Sequence, residues 1–146
     1  MLSNSCRYGI RAVIYLAGQP SSSGKTGIRK ISKDLDLPTP FLAKILQQLA
    51  KHKILSSSKG PHGGFSLIID PRKITLLDIV NIIDGNDVFT NCVVHNGSCE
   101  CVTKDKKYCS LHMDYEKIRA DLIKLFKNKT IYNLVKKSEN TDLITI

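Results

Sequence analysis

The chain has 146 residues, 42% of them hydrophobic, and it carries a formal net charge of +9 at pH 7. This length and composition favour a single domain with a buried core and exclude gross disorder, because glycine and proline are not enriched. No apolar run approaches the roughly 18 residues of a membrane span, and the N-terminus lacks the basic-then-apolar order of a signal peptide. We therefore expect a cytoplasmic protein with no membrane partner, in which thiols stay reduced.

The positive charge is concentrated in the first half of the chain. Residues 1–69 contain ten Lys or Arg and two Asp, for a net charge of +8, whereas residues 70–146 have a net charge of +1. A basic segment of this kind indicates a polyanion partner such as double-stranded DNA. The alternative is a solvated basic surface without a specific partner.

A helix-turn-helix is predicted within the basic half. Apolar residues at helical spacing predict helices over residues 4–18 and 28–36, and the second is followed by a turn. Thr39 is expected to be the N-cap of the next helix, with Pro40 as its first helical residue. The apolar stripe of that helix consists of Phe41, Leu42, Ile45, Leu46 and Leu49. Two short helices joined by a tight turn are typical of DNA-binding proteins, although an ordinary helical hairpin shares this pattern.

A β-hairpin is predicted immediately after the helix-turn-helix. Residues 53–58 and 65–69 have the composition of strands, and the turn between them contains three glycines and Lys59. Glycine allows close approach of a neighbour, here plausibly the DNA backbone. A helix-turn-helix followed at once by a glycine-tipped basic hairpin indicates a winged helix. The fold class that we expect is mainly α with a small β wing (α+β).

A further helix and a long irregular segment come next. Thr75 and Asp78 form a variant of the capping box, and Gly85 is expected to end the helix that they begin. Residues 86–109 are predicted to be irregular, and a loop of that length in a compact domain usually has a function.

Four cysteines and a histidine occur close together in and just after this irregular segment. They are Cys92, Cys99, Cys101, Cys109 and His112. Thiolates and an imidazole at short spacing suit zinc and iron–sulfur clusters about equally, and a metal-free thiol redox switch is a third reading. Cys6, in the first helix, is more often a buried small hydrophobe than a ligand.

A long helix is predicted from about residue 111 to 127. Its apolar residues are spaced alternately by four and three, which favours a dimer interface over packing within one chain. This seam consists of Leu111, Tyr115, Ile118, Leu122 and Leu125. A short helix is predicted over residues 131–135. The expected organisation is a winged-helix DNA-binding domain at 1–85, a cysteine-rich sensor loop at 86–110, a dimerisation helix and short terminal helix at 111–135, and a mobile tail at 136–146.

Several of these motifs resemble those of one family of bacterial regulators. They are Tyr8-Gly9-Ile10-Arg11, the stretch Leu37–Leu49, Lys59-Gly60-Pro61-His62-Gly63-Gly64-Phe65 and Cys109-Ser110-Leu111-His112. Together they resemble the Rrf-two family, which includes IscR, NsrR and CymR, and the resemblance covers residues 1 to about 135.

The resemblance implies a homodimeric winged-helix transcription factor with an iron–sulfur cluster in the loop of many members. It favours such a cluster over zinc, and we expect a 2Fe–2S cluster in preference to a 4Fe–4S cluster. Carried over by position, Cys92, Cys109 and His112 are implied as ligands, with Cys99 or Cys101 between them. Cys6 is a weaker candidate for a ligand supplied to the partner subunit. Lys59 stands where the family commonly has arginine, and Ala43 where one branch has glutamate.

The function that we expect is regulation of transcription, most simply repression, by a homodimer that binds a near-palindromic operator. The residues expected at the DNA are Arg29, Thr39, Pro40, Phe41, Lys44, Gln47, Lys59, Gly60 and His62, with Lys30 and Lys33 as further phosphate contacts. An iron–sulfur electron carrier or iron-delivery protein is the alternative from another class, but it has no use for a wing. Enzymatic function is not expected, because no nucleophile–base motif is present.

Overall fold

The computed structural model describes residues 2–20, 24–94 and 111–139, with side chains up to residue 136. Within these ranges the elements in chain order are α1 (Asn4–Ala17), α2 (Ile28–Leu35), α3 (Thr39–Lys51), β1 (Leu55–Ser58), β2 (Gly64–Leu67), a 3-10 turn (Pro71–Lys73), α4 (Leu76–Ile83), α5 (Asp87–Thr90), α6 (His112–Asn128) and α7 (Ile131–Glu139). The mainly helical fold with a two-stranded wing is therefore confirmed. None of the helices in the described ranges is both long enough and apolar enough to cross a membrane.

The main core lies between α1, α2, α3 and the wing. The apolar stripe of α3 is buried there, except for one residue at its start, Phe41. Arg11 on α1 donates to the Leu35 carbonyl oxygen at 2.6 Å and so satisfies a C-terminal carbonyl of α2. Burial of the stripe fixes which face of α3 remains available to a partner.

The start of α3 differs from the prediction. Pro38 is the N-cap and makes no side-chain capping bond, and both Thr39 and Pro40 are already helical. Thr39 was predicted as the N-cap, but its hydroxyl is instead 2.7 Å from the Ser32 hydroxyl on α2. This contact crosses the turn, which is why the local pattern alone misplaced the cap by one residue.

The wing is an antiparallel pair in which Leu55 faces Leu67 and Ser58 faces Gly64. Both strands are shorter than predicted: Lys53 has a positive φ of 61°, and the Ile54 amide donates to the Leu49 carbonyl of α3, so that Ile54 is joined to Ile68 only by the bond from the Ile68 amide to the Ile54 carbonyl. A second bridge joins the wing to the segment ahead of α2, because Thr26 and Phe65 exchange two backbone hydrogen bonds of 2.9 Å. Strand β2 is therefore hydrogen-bonded on both edges, to β1 on one side and to Thr26 on the other.

The second half of the chain packs on the first through α4 and α7. Thr75 and Asp78 form the predicted capping box, and Thr75 also pairs with Thr130 just ahead of α7. Gly85, with φ 74°, follows the C-cap residue Asp84. Helix α7 continues to Glu139, beyond the predicted end at residue 135.

A small second core connects α4, α5 and α6. Phe89 on α5 contacts Phe126 on α6 edge-to-face, with ring centroids 5.7 Å apart, and Val80 and Cys6 pack against them. Helix α5 was not predicted, because residues 86–109 were expected to be irregular throughout. It has only four residues and is stabilised by the burial of Phe89. This is a tertiary contact that a periodic sequence pattern could not have predicted.

Candidate nucleic-acid interface and cysteine segment

The turn between α2 and α3 is fixed by a buried serine. The Ser32 hydroxyl donates to the Leu37 carbonyl oxygen at 2.5 Å, and the Leu37 amide donates to the Ser32 carbonyl at 2.9 Å. Asp36 adopts the left-handed conformation at the end of α2, with φ 51°. These contacts set the angle at which α3 leaves α2.

A basic groove lies between α2, α3 and the wing. It has a volume of about 730 Å³, and among the residues that line it are Gly27, Arg29, Lys30, Gln47, Lys59 and Gly60. The structure therefore brings together predicted DNA-binding residues from three separate elements. The cations that line this groove give it a charge that matches a phosphate backbone.

The remaining predicted DNA-binding residues are not among those that line this groove. Pro40 and Lys44 on α3 are exposed, as Gln47 is, whereas Thr39 is half-buried, and 61% of Phe41 is exposed. His62 is exposed at the tip of the wing and is not among the residues that line the groove. Most of the Phe41 ring is therefore left uncovered by the rest of the described chain.

The cations at the groove differ in how far they are engaged by the protein itself. Lys30 forms an ion pair with Asp34 at 3.0 Å, and the Tyr15 hydroxyl donates to the same carboxylate at 2.6 Å. The hydrogen bonds from Tyr15 and Lys30 lower the pKa of Asp34, and the hydrogen bond to Asp34 raises the pKa of Lys30. Arg29 is exposed in the first turn of α2, one residue before Lys30.

The three glycines of the wing have different roles. A Cβ on Gly63 would overlap the Ser58 carbonyl oxygen, and one on Gly64 would overlap the Thr26 carbonyl oxygen. Gly60 has φ 102° and nothing within 4 Å of a Cβ position. Gly63 and Gly64 therefore allow the wing to close on itself and on Thr26, and only Gly60 offers open backbone to a neighbour.

The two described members of the predicted ligand set lie on either side of the segment 95–110. Cys92 follows α5 and is half-buried, and its sulfur accepts a hydrogen bond from the Val94 amide at 3.5 Å. His112 begins α6 and is half-buried. Cys92 and Tyr115, the latter one turn after His112, line the same cleft of about 590 Å³. The start of α6 and the end of α5 therefore face each other.

The other predicted ligands, Cys99, Cys101 and Cys109, lie outside the described residues. Among residues 2–20, 24–94 and 111–139, no group of three or more His, Cys, Asp and Glu side chains is close enough to hold a metal ion. Cys6 is fully buried beside Val80 and Phe89. Burial, reinforced by the nearby negative charge of Asp84, raises the pKa of the Cys6 thiol to about 12.

Arg119 is a buried residue that sequence reasoning missed. Its guanidinium donates to Glu116 at 3.1 Å and to the Asn91 carbonyl oxygen at 3.5 Å, and it lies 5.1 Å from the ring centre of Tyr115. It thus joins α6 to the residue before Cys92. Nothing in the local pattern distinguishes Arg119 from the exposed cations of α6, so only the tertiary structure could identify it.

The predicted dimer seam on α6 is largely exposed in the single chain. Leu111, Ile118 and Leu125 are 42%, 63% and 49% exposed, whereas Tyr115 and Leu122 are half-buried. Met113, which was not predicted, is 67% exposed. The seam residue Leu122 packs within the chain, together with Ile123 and Phe126.

Comparison with known proteins gives a consistent result. The model of the Rrf2 family, described as iron-dependent transcriptional regulators, matches residues 2–137. A protein of Aquifex aeolicus (strain VF5) described as an HTH-type transcriptional regulator is 32% identical over 135 residues, which cover 92% of this chain and 91% of that protein. The regulator IscR of Escherichia coli O1:K1 / APEC is 26% identical over 97% of this chain and 84% of its own.

Two solved structures share the fold. The structure of CymR, the global cysteine regulator of B. subtilis, matches with a TM-score of 0.74 and 22% identity, covering 94% of this chain and 97% of that one. The structure of T. potens IscR matches with a TM-score of 0.72 and 24% identity over 98% of this chain and 91% of that one.

Proposed function

The chain belongs to the Rrf2 family of transcriptional regulators, and from this premise we propose that it is a cytoplasmic homodimeric repressor, not an enzyme, whose DNA affinity is set by an iron–sulfur cluster in the cysteine segment. Each subunit places α3 in a major groove, and the two subunits together bind a near-palindromic operator. The half-sites are then about one helical turn, or a multiple of it, apart.

The observation that carries the DNA-binding part of the proposal is the basic groove. Arg29, Gln47 and Lys59 come from α2, α3 and the wing, and they line one groove next to the exposed face of α3. Cations at this position neutralise phosphates and fix the register, while exposed side chains of α3 reach the base edges. An electron carrier has no need for a helix-turn-helix and a wing that bring basic residues together in one groove.

The proposal of a homodimer is supported by the exposed side of α6. Three apolar side chains of the seam are more than two-fifths exposed, although Leu122, Ile123 and Phe126 of the same helix are packed within the chain. A second copy of α6 would remove this apolar surface from water, which is the main driving force for association.

The proposal of a cluster rests on the donor chemistry of the chain. Cys92 and His112 lie on facing elements at the two ends of the segment 95–110, and that segment contributes Cys109 and either Cys99 or Cys101. Three thiolates and one imidazole fit a 2Fe–2S cluster, which supplies a redox-sensitive anionic group when it is bound. The backbone amides at the start of α6 favour negative charge there, and Arg119 keeps the Cys92 side of the site attached to α6.

Anaerobic purification of the full chain, followed by iron, zinc and acid-labile sulfide analysis and a visible spectrum, tests the cofactor. Iron and sulfide in equal amounts of about two per chain are expected, and they should fall at least severalfold in Cys92→Ala. Zinc without iron would contradict the cluster and favour a structural zinc site. Absence of both metals would leave a thiol redox switch as the remaining reading of the cysteines.

Operator binding measured between 50 and 200 mM salt tests the basic groove. A duplex selected from random sequence should be bound with a steep salt dependence, because each neutralised phosphate releases counterion. A shallow dependence, or equal affinity of the loaded and cluster-free protein for every operator, would contradict the proposed regulation.

A further inference from the structure

The first turn of α3 presents an exposed aromatic ring. Phe41 is 61% exposed, and it is the one large apolar side chain within α2 and α3 that the structure leaves exposed. Its neighbour Pro40 is also exposed and has no hydrogen-bonding group in its side chain. The exposed side chains of the first turn of α3 therefore present mainly apolar surface to a partner.

Thr39 cannot supply a hydrogen-bond donor at this turn. The Ser32 hydroxyl has one hydrogen, which it donates to the Leu37 carbonyl oxygen at 2.5 Å. The 2.7 Å contact between the two hydroxyls must then use the hydrogen of Thr39. The side chains of the leading turn consequently offer no free donor to the guanine acceptors of a major groove.

Phe41 begins a row of exposed residues on α3 that ends at the basic groove. Phe41, Lys44 and Gln47 recur at intervals of three along α3, and all three are exposed. Gln47 lines the groove together with Arg29 and Lys59. The residue that follows Phe41 in this row is a cation, Lys44, and the row ends at the basic groove, which favours a nucleic acid over an apolar protein surface as the neighbour of the ring.

We propose that Phe41 is a specificity-determining residue that contacts the 5-methyl group of a thymine in each half-site. In the major groove thymine is the base that displays a methyl group, and an apolar side chain recognises it by excluding water. This inference rests on the proposed function, because it requires that α3 enters the major groove.

Replacement of single thymines by deoxyuridine tests the contact, since it removes only the methyl group. Operators are first selected from random duplex DNA with the full chain, and each thymine is then replaced in turn. At one symmetric position per half-site, we expect the affinity of the wild type to fall about fourfold, the value of one buried methyl group. Phe41→Ala should bind both duplexes equally, and Phe41→Leu should retain part of the difference.

Ile68→Ala is the matched control, because Ile68 is similarly exposed, at 58%, but lies after the wing. It should keep the full fourfold difference. If no thymine shows a methyl-dependent loss, or if the loss persists in Phe41→Ala, the inference is wrong while DNA binding stands. Failure of the wild type to enrich any sequence would overturn the proposed function and the methyl contact together.

Discussion

At the residue scale, neighbouring cations of the basic groove are not equivalent. Arg29 is exposed, whereas the ammonium of Lys30 is bound by Asp34 at 3.0 Å. A lysine that already has a carboxylate partner must give up that ion pair, or share it, in order to neutralise a phosphate. The two residues should therefore contribute differently to DNA binding although they are adjacent in sequence.

We predict that Arg29→Gln reduces the slope of log affinity against log salt by about 1.8, because the dimer loses one phosphate contact per subunit and each contact is worth about 0.9. Lys30→Gln should reduce it by clearly less. The measurement is a salt titration of operator binding, with Lys124→Gln, at an exposed residue of α6 outside the seam, as the control that leaves the slope unchanged. A larger effect for Lys30 than for Arg29 would contradict this assignment.

The buried thiol of Cys6 gives a prediction for pH dependence. Its pKa in the folded chain is raised to about 12, above the value in the unfolded chain, so the folded state holds the proton more tightly. The corresponding stability is fully present below pH 9 and is lost as the pH rises from 9 towards 12. By pH 10 the loss attributable to Cys6 should be about 1 kcal/mol.

Urea unfolding of the wild type and of Cys6→Ala at pH 8 and pH 10 measures this loss. The wild type should lose about 1 kcal/mol more than the variant over that interval, since the variant lacks the thiol. Equal losses would show that Cys6 titrates normally. Iron content provides a separate readout, because a buried Cys6 predicts that Cys6→Ala binds the same amount of iron as the wild type.

At the element scale, the turn of the helix-turn-helix depends on Ser32. We predict that Ser32→Ala lowers the free energy of unfolding by about 1–3 kcal/mol, because the Leu37 carbonyl and the Thr39 hydroxyl lose a buried partner. Denaturant unfolding measures the loss. Ser57→Ala on the exposed face of β1 is the matched control and should change stability by no more than about 0.5 kcal/mol.

The contrast between α3 and α5 shows which elements local sequence can predict. The stripe of α3 runs from Phe41 to Leu49, about two and a half turns, and residues 59–64 combine glycines with a basic residue, so both the helix and the wing could be predicted. Helix α5 is four residues long and depends on the burial of Phe89 against Phe126, which lies 37 residues away in sequence. No periodic pattern is possible over a single turn.

The same distinction applies to the candidate site. Exposed residues of the helix-turn-helix and wing could be predicted, because their exposure follows from which face is apolar. Contacts across the fold could not: the bond from Arg119 to Asn91, the bridge from Thr26 to Phe65 and the engagement of Thr39 by Ser32 all join residues that no local motif connects.

At the scale of the whole molecule, association of two chains through α6 can be tested separately from DNA binding by the winged helix. We predict that Ile118→Glu is monomeric at micromolar concentration, because it places a charge on a seam residue that is 63% exposed in the single chain. Operator affinity should fall about 100-fold or more, since the second half-site is then no longer bound at a high effective concentration. Light scattering and operator titration provide the two readouts.

Lys117→Gln changes the net charge by the same amount as Ile118→Glu, but at an exposed polar residue beside the seam. It should remain dimeric and bind the operator normally. A dimeric Ile118→Glu with normal affinity would show that the exposed side of α6 is not the interface.

The two hydrogen bonds between Thr26 and Phe65 have a mechanical consequence. They join the wing to the chain directly ahead of α2, and the Ser32 hydroxyl joins α2 to the start of α3, so the wing is linked to α3 through α2 as well as along the chain. We therefore expect a signal that arises near Cys92 or His112, as proposed above, to move the winged helix as a unit. In the proposed dimer such a signal would change the rotation about the DNA axis that separates the two winged helices. A shift of one base pair between the half-sites corresponds to about a tenth of a helical turn.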